Sequence, residues 1–241
     1  LAGAPASTGD MSLVSGATTA LGALSVGGTL SLTSTGAITQ TGVLTVGKAA
    51  TVVSSGAVTL ANAGNDFAGA TSVSGAAVSV RDANALDLVL AATGNSSITT
   101  GGSLKLSGSV TGTAMRLTAV TGASVALGPL SVSGAFSLTS GGAITQLPGS
   151  NNQSTGSAGQ STTQSGLRIG GATTIRAVAG KTPVAVTLDD ASNVLTGPVN
   201  VSGSVVTLKG AGALTATVTA IDSSSVSAAG VLTISGTVTG A

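Results

Sequence analysis

Apolar and polar residues alternate over short segments of the chain, and glycine or asparagine interrupts each segment after a few residues. In Leu24-Ser25-Val26 the apolar side chains occupy every second position, and a similar segment recurs at residues 30–32, 44–46, 58–60, 78–80, 104–106, 115–117, 186–188 and 232–234. A period of two is typical of a β-strand that buries one face. No segment has a useful helical period, and Thr, Val, Ser and Gly are poor helix formers. The pattern therefore predicts many short strands joined by tight corners.

One stretch of the sequence occurs twice. LGALSVGGTLSLTSTGAITQ at residues 21–40 returns as LGPLSVSGAFSLTSGGAITQ at residues 127–146, with fifteen of the twenty positions identical. Further matches continue at larger offsets, which indicates two insertions in the second copy. We assign the internal repeat to residues 21–106 and 127–214. The longer insertion is a polar loop at residues 147–166, and the shorter one lies near residues 178–183.

These features favour a solenoid over a β-sandwich. Strand motifs recur about every 20 residues, a spacing that suits one turn of a β-helix. Each turn of a solenoid contacts only its neighbours, so an insertion can leave at a corner without disturbing the stack. We predict an all-β fold in which residues 1–241 form a single β-helical solenoid of about twelve turns.

Composition excludes several classes of protein. The chain is 42% hydrophobic with a net charge of +1, whereas disordered chains combine low hydrophobicity with high net charge. The near-neutral balance argues against a nucleic-acid partner, and apolar runs of only a few residues argue against membrane insertion. The sequence contains no cysteine, so a disulfide framework and a thiolate metal site are excluded.

The acidic residues are the candidates for enzyme chemistry. All seven are aspartates, and Asp189 and Asp190 are the adjacent pair. Glycoside hydrolysis needs two carboxylates at a defined separation, but neighbours in an extended strand point to opposite faces. A polysaccharide-active β-helix enzyme is therefore the less favoured alternative. Asp82 and Asp87 lie close to Arg81 in one turn, where a solvated corner with a surface ion pair is the simpler expectation.

The basic residues are scattered along the chain and form no evident anion-binding cluster. Arg81 aligns with Lys209 in the repeat, and each follows an apolar residue. Lys105, Arg116 and Arg168 each stand between two apolar alternates, which places them on the outer face. We interpret these side chains as charges that block lateral association of strands.

The repeat also marks one corner residue. Asn65 aligns with Asn193, whereas the neighbouring Asp66 has no acidic counterpart, which argues against a repeated calcium-ligand set. The asparagines are expected to hold a corner, either in the left-handed conformation or through side-chain bonds to the backbone. Phe67 aligns with Leu195, so an apolar plug follows in both copies. We assign no catalytic, cofactor-binding or metal-ligating residue.

Three segments carry a family resemblance. GAITQTGVLTVG at residues 36–47, VTLANAGNDFAGATSVSG at 58–75 and DANALDL at 82–88 resemble the repeats of bacterial filamentous-haemagglutinin-type exoproteins and related β-strand-repeat adhesins. The resemblance covers most of the chain and is weakest at residues 150–165. It implies a right-handed parallel β-helix, secretion across the outer membrane, and a role in adhesion, biofilm or matrix.

The expected function lies in the shape of the molecule. Ordinary strand sequence reaches both ends, so we expect either that the chain continues in a longer exoprotein or that its ends stack on other copies. The favoured function is a structural, non-enzymatic, extracellular protein of a bacterial surface fibre, sheath or matrix. The alternative to a purely structural role is an adhesin stalk that presents the loop at residues 147–166 to a cell-surface glycan or protein, because binding functions concentrate on loops held by rigid scaffolds.

Overall fold

The computed structural model describes residues 6–148 and 165–240, and within these residues every regular element is a β-strand. All strand pairs are parallel except for one short hairpin. The chain coils into a β-solenoid in which each turn pairs with the turn before it and the turn after it. The predicted all-β solenoid is confirmed.

The strands fall into three groups along the chain. Each of the first four turns has three strands: β1 (Ala6–Ser7), β2 (Met11–Ser15), β3 (Thr19–Leu21), β4 (Leu24–Val26), β5 (Leu30–Ser34), β6 (Ile38–Gln40), β7 (Leu44–Val46), β8 (Ala50–Ser54), β9 (Val58–Leu60), β10 (Asp66–Phe67), β11 (Thr71–Gly75) and β12 (Val78–Asp82). The next two turns have two strands each: β13 (Leu86–Ala92), β14 (Ser96–Thr100), β15 (Leu104–Val110) and β16 (Ala114–Thr121).

The remaining strands form the second half of the solenoid. They are β17 (Val125–Val132), β18 (Ala135–Gly141), β19 (Ile144–Gln146), β20 (Leu167–Ile169), β21 (Thr173–Ala179), β22 (Thr182–Pro183), β23 (Val186–Leu188), β24 (Val194–Leu195), β25 (Val199–Gly203), β26 (Val206–Gly210), β27 (Leu214–Ala220), β28 (Ser225–Ala228) and β29 (Leu232–Val238).

Three sheets run along the solenoid axis. Sheet 1 has four strands (β1, β4, β7 and β10), sheet 2 has thirteen and begins at β2, and sheet 3 has twelve and begins at β3. The main path of sheet 2 and that of sheet 3 each contain eleven strands, so the described residues make eleven turns. The expected number was twelve. The expected number was counted over residues 1–241, which include residues 149–164, outside the described part of the chain.

The core is a single apolar column inside the coil. In the first copy the inward residues follow the predicted alternation: Leu30 and Leu32 are 2% and 1% exposed, and Ile38 is fully buried. Phe67 and Phe136, the two aromatic residues of the chain, are also buried in this column. Leucine, valine, isoleucine and alanine supply most of the rest, which keeps the interior narrow.

The two repeat copies lie on different faces of the solenoid. Leu24–Val26 (β4) belongs to sheet 1, but its counterpart, residues 130–132 of β17, belongs to sheet 2. In the same way β5 belongs to sheet 2 and its counterpart β18 to sheet 3. Five steps along sheet 2 separate β5 from β17, so the second copy starts five turns and one face after the first.

The shift arises where sheet 1 ends. After β12 the chain does not form another sheet 1 strand; instead Ala83 passes directly over the preceding turn and donates its N–H to the carbonyl of Asn65 at 2.7 Å. The turn is short as a result, since Val78 pairs with Ser96, 18 positions further on. The following turns are two-sided, and the second copy resumes the three-strand pattern one face later.

The structural equivalence of the copies extends beyond the predicted repeat ends. Strand β15 reads LKLSGSV and β29 reads LTISGTV, and each contains a glycine with a left-handed φ, +124° at Gly108 and +120° at Gly236. A Cβ on Gly108 would lie 1.9 Å from the carbonyl oxygen of Leu90, and one on Gly236 would lie 1.9 Å from that of Val218. A glycine in the same left-handed conformation therefore lies in the final strand of each copy.

The described residues that flank the longer insertion, and the whole of the shorter one, can be placed on the solenoid. Gln146 and Leu167 flank the longer one, and both pair with β17, on Leu127 and Leu130 respectively. Of the predicted loop at residues 147–166, residues 149–164 lie outside the described part of the chain. The shorter insertion is an antiparallel hairpin of β21 and β22, in which Gly180 has a φ of +64°.

Candidate functional site

The most elaborate polar arrangement in the described residues is a pair of amide side chains at one corner. Asn65 is fully buried and exchanges hydrogen bonds with Gln40 of the preceding turn: Gln40 Nε2 donates to Asn65 Oδ1, and Asn65 Nδ2 donates to Gln40 Oε1 at 3.1 Å. Asn65 Oδ1 also accepts the backbone N–H of Leu44 at 3.0 Å. Its Nδ2 atom donates to the carbonyls of Leu60 at 3.1 Å and Arg81 at 3.2 Å. One side chain thus joins three consecutive turns.

The second copy rebuilds the same pair. Gln146 Nε2 donates to Asn193 Oδ1 at 2.7 Å, and Asn193 Nδ2 donates back to Gln146 Oε1 at 3.0 Å. Asn193 Oδ1 accepts the N–H of Leu167 at 2.8 Å, the equivalent of Leu44. In the second copy this bond fixes the residue at which the chain re-enters the solenoid after the longer insertion.

These contacts decide between the two ways in which the asparagines were expected to hold a corner. No residue other than glycine has a positive φ in the part of the chain that the structure describes, so the left-handed alternative is wrong. The expected bonds from side chain to backbone are confirmed. The role of the glutamines, four positions before Leu44 in the first copy, was not predicted. The repetition of Gln40 as Gln146 was the sequence signal that could have indicated it.

Asp82 holds the point at which sheet 1 ends. Its carboxylate is buried and accepts two backbone hydrogen bonds, from Phe67 N–H at 2.8 Å and from Asn84 N–H at 2.7 Å. Burial raises the pKa of Asp82 above its ordinary value; the two backbone bonds oppose that effect and the nearby charge of Asp66 adds to it. The predicted solvated corner is therefore wrong for Asp82, because the short turn places this residue over Phe67.

The ion pair in this region involves other residues than expected. Asp87 Oδ2 lies 3.0 Å from Lys105 Nζ, and both side chains are exposed. The register of β13 and β15 places the two residues side by side, whereas Arg81 belongs to a different sheet. Among the described residues this is the single salt bridge, and an exposed pair of this kind contributes little to stability.

The adjacent carboxylates of the second copy take part in a corner as well. Asp190 Oδ1 accepts the N–H of Ser192 at 2.8 Å and its hydroxyl at 2.6 Å. Its own N–H donates to Gln146 Oε1 at 3.2 Å, which ties it to the amide pair. Asp189 is exposed and shares none of these contacts. Within the described residues, no three side chains of His, Cys, Asp or Glu come together as a metal-binding group.

The register of the strand pairs in sheet 3 brings three arginines to one outer face. The sequence alone did not predict this grouping. Arg81, Arg116 and Arg176 are exposed and belong to β12, β16 and β21, which alternate with other strands of sheet 3. Thr99, Thr118 and Thr139 form a row that joins Arg81 to Arg176 through successive strand pairs. We call these six residues the arginine face. Successive arginines are two strands apart, or about 9.6 Å along the axis.

A family model matches most of the chain. The model described as repeats of unknown function (DUF5649) matches residues 8–74, 114–161 and 150–202. The chain belongs to this family. The first match of the DUF5649 model begins just before Met11 and the second just before Met115, so it follows the two copies seen in the structure.

Two other comparisons identify no related protein. No curated protein and no solved structure matches the chain. The described residues also contain no helix that is long and apolar enough to cross a membrane. The DUF5649 assignment and the geometry of the solenoid therefore carry the functional argument.

Proposed function

We propose that this DUF5649 repeat protein is a structural, non-enzymatic component of a bacterial extracellular fibre, sheath or matrix, similar in kind to the filamentous-haemagglutinin exoproteins, and that it associates end to end. The observation that carries the proposal is the continuous apolar core, closed turn after turn by parallel strand pairs over eleven turns. A rod of this kind resists bending and stretching because its backbone hydrogen bonds lie along the axis.

The buried polar groups support this proposal. Asn65 and Asn193 bond to backbone groups and to a neighbouring amide, and Asp82 accepts backbone N–H groups. Side chains that form such bonds stabilise corners and are not free to act on a substrate. Their contribution is to hold consecutive turns in register.

Electron microscopy of the purified chain tests end-to-end association. We expect filaments one solenoid wide, with an axial repeat close to the length of eleven stacked turns, about 50 Å. Monodisperse monomers at high concentration would contradict it. Labelling of intact and lysed source cells with an antibody against the chain tests its location. For an extracellular protein we expect intact cells to be labelled as strongly as lysed cells.

The arginine face favours a second candidate, which is adhesion to an acidic polysaccharide. The three arginines lie among hydroxyl side chains on one face of sheet 3, and the outward positions of the sheet 3 strands carry no carboxylate in the described residues. Arginine binds carboxylate and sulfate groups in a planar, bidentate manner. This surface differs from the loop at residues 147–166, which was the expected binding element.

Binding to alginate, with neutral dextran as the control polymer, tests this candidate. We expect the wild-type chain to bind alginate and not dextran, with an affinity that falls as salt increases. Changing Arg81, Arg116 and Arg176 together to Gln should abolish binding. The matched control changes Arg168 and Lys209 to Gln on sheet 2 and should retain it. Equal binding by the two variants would exclude the arginine face as the site.

A further inference from the structure

The last turn that the structure describes exposes apolar residues whose counterparts are buried in an earlier turn. In β29, Leu232, Ile234 and Val238 are 39%, 54% and 49% exposed. The equivalent residues of β15 are at most 1% exposed, because a further turn covers them. The structure therefore shows this face in both an open and a covered form.

The covered form lies at the junction between the two copies. There β16 and β17 pack on β14 and β15, with Leu117 beside Ile98 and Leu127 beside Leu106. Strand β28 is the counterpart of β14, and β29 is the counterpart of β15. The junction thus specifies which strands fit the open face and in which register.

The first turn of the chain has the sequence of that cover. Met11 and Leu13 of β2 correspond to Met115 and Leu117 of β16, and Leu21 of β3 corresponds to Leu127. Met11 and Leu13 pack against the core while remaining partly exposed at the open edge of the first turn. The first and last turns that the structure describes are therefore complementary halves of a junction that also occurs between the two copies.

We propose that a second copy of this chain docks its first turn on β28 and β29, head to tail, in the register of the internal junction. Leu13 of the incoming copy then lies beside Val226, and Leu21 of the incoming copy lies beside Ile234. The inference deepens the proposed end-to-end association and rests on it. It adds the residues that meet and the register in which they meet.

The same correspondence between the internal junction and the proposed contact predicts an exchange of strands. At the junction Val110 pairs with Val132, whereas in the first turn Ser7 of β1 pairs with Val26, the counterpart of Val132. Val238 is the counterpart of Val110, so in the stack Val238 and Ser7 compete for one position. Val238 places an apolar side chain there, and β1 is only two residues long. Strand β29 of one copy therefore replaces β1 of the next.

Engineered cysteines test the register, because the chain has none of its own. Thr99 pairs with Thr118 at the junction, and their counterparts are Ser227 and Val14. Neighbours in a parallel pair lie about 4.8 Å apart, within the range for a disulfide. The variant with Ser227→Cys and Val14→Cys should form a ladder of disulfide-linked multimers under mild oxidation. The variant with Thr99→Cys and Thr118→Cys is the internal control and should form its bond within one chain.

A pair displaced by two residues tests the register more strictly. The variant with Ser227→Cys and Ser12→Cys should give at least about tenfold less cross-linking, because two residues of strand separate the sulfur atoms by more than 6 Å. Deleting residues 1–7 removes β1, which competes with β29 of the neighbouring copy for the position beside Val26. We therefore expect this variant to begin assembly at about tenfold lower protein concentration.

The outcomes separate the two proposals. Chains that remain monomeric in every variant would overturn both the docking and the end-to-end association. Filaments that cross-link equally well through Ser12, or that are indifferent to the loss of β1, would overturn the register and the exchange and leave end-to-end association in place.

Discussion

Replacing Asn65 with leucine tests whether the amide pair holds consecutive turns together. Leucine has the same branched side-chain skeleton as asparagine, with two methyl groups in place of the amide oxygen and nitrogen, so the change removes the hydrogen bonds and places an apolar side chain at the corner. It leaves the buried N–H of Leu44 without the acceptor that lies 3.0 Å away in the native protein. It also removes two of the bonds of the Gln40 amide, which keeps the carbonyl of Gly42 and the N–H of Asn62 as partners.

The expected loss follows from the number of groups left without partners. A buried donor or acceptor without a partner costs about 1–3 kcal/mol. With the Leu44 N–H left unpaired, and with two bonds of the Gln40 amide lost at about 0.5–1.5 kcal/mol each, we expect the free energy of unfolding to fall by about 2–5 kcal/mol. The change Gln40→Leu removes the same two bonds, so the double variant should lose less than the sum of the two single changes.

Urea unfolding monitored by circular dichroism measures this loss, and hydrogen exchange of the Leu44 amide locates it. Asn62→Ala is the matched control, because Asn62 Oδ1 accepts only the exposed N–H of Gly64, at 3.0 Å. Asn193→Leu repeats the experiment in the second copy and should give a similar loss. Equal effects of Asn65→Leu and Asn62→Ala, or strict additivity with Gln40→Leu, would refute the role assigned to the pair.

Three further predictions follow from other positions. Because burial raises the pKa of Asp82, its contribution to stability is greatest below the ordinary value of 3.8 and is lost as pH rises through the folded pKa. In urea unfolding followed upward from pH 3.8, the Asp82→Asn variant should lack this loss, and an unchanged pH dependence would contradict the assignment. Gly108→Ala should destabilise by at least about 2 kcal/mol more than Gly122→Ala in thermal unfolding, since both have positive φ but only Gly108 meets a carbonyl oxygen, and equal losses would exclude the close approach as the cause. Asp87→Asn should lower the free energy of unfolding, measured by urea denaturation, by less than about 1 kcal/mol, because its ion pair is exposed. A larger loss would mean that the ion pair contributes more to stability than its exposure indicates.

The sequence was sufficient for the properties that depend on local period. Alternation alone identified Leu30, Leu32 and Ile38 as inward residues, and their burial confirms it. The repeat located the corner role of Asn65 and Asn193, because two copies of one residue at one corner reduce the number of explanations. The hairpin of β21 and β22 also lies where the change of offset indicated an insertion.

The sequence was insufficient where the outcome depends on how many residues each turn contains. Arg81-Asp82 suggests a solvated ion pair, and only the short turn reveals that Asp82 lies over a backbone N–H of Phe67. The arginine face has the same origin, since Arg116 and Arg176 reach one sheet only after an exact number of residues in each intervening turn. Such lengths are set by packing between turns and not by the residues of one strand.

The displacement of the second copy by one face has a consequence for any array of these repeats. Each repeat advances by five turns and one of three faces, so a feature fixed to the repeat follows a spiral around the rod and returns to the same side after three repeats. At about 4.8 Å per turn the pitch of that spiral is about 77 Å. Side chains and corner loops would then be displayed in every direction around the rod, which would suit a rod that must meet its surroundings without a preferred orientation.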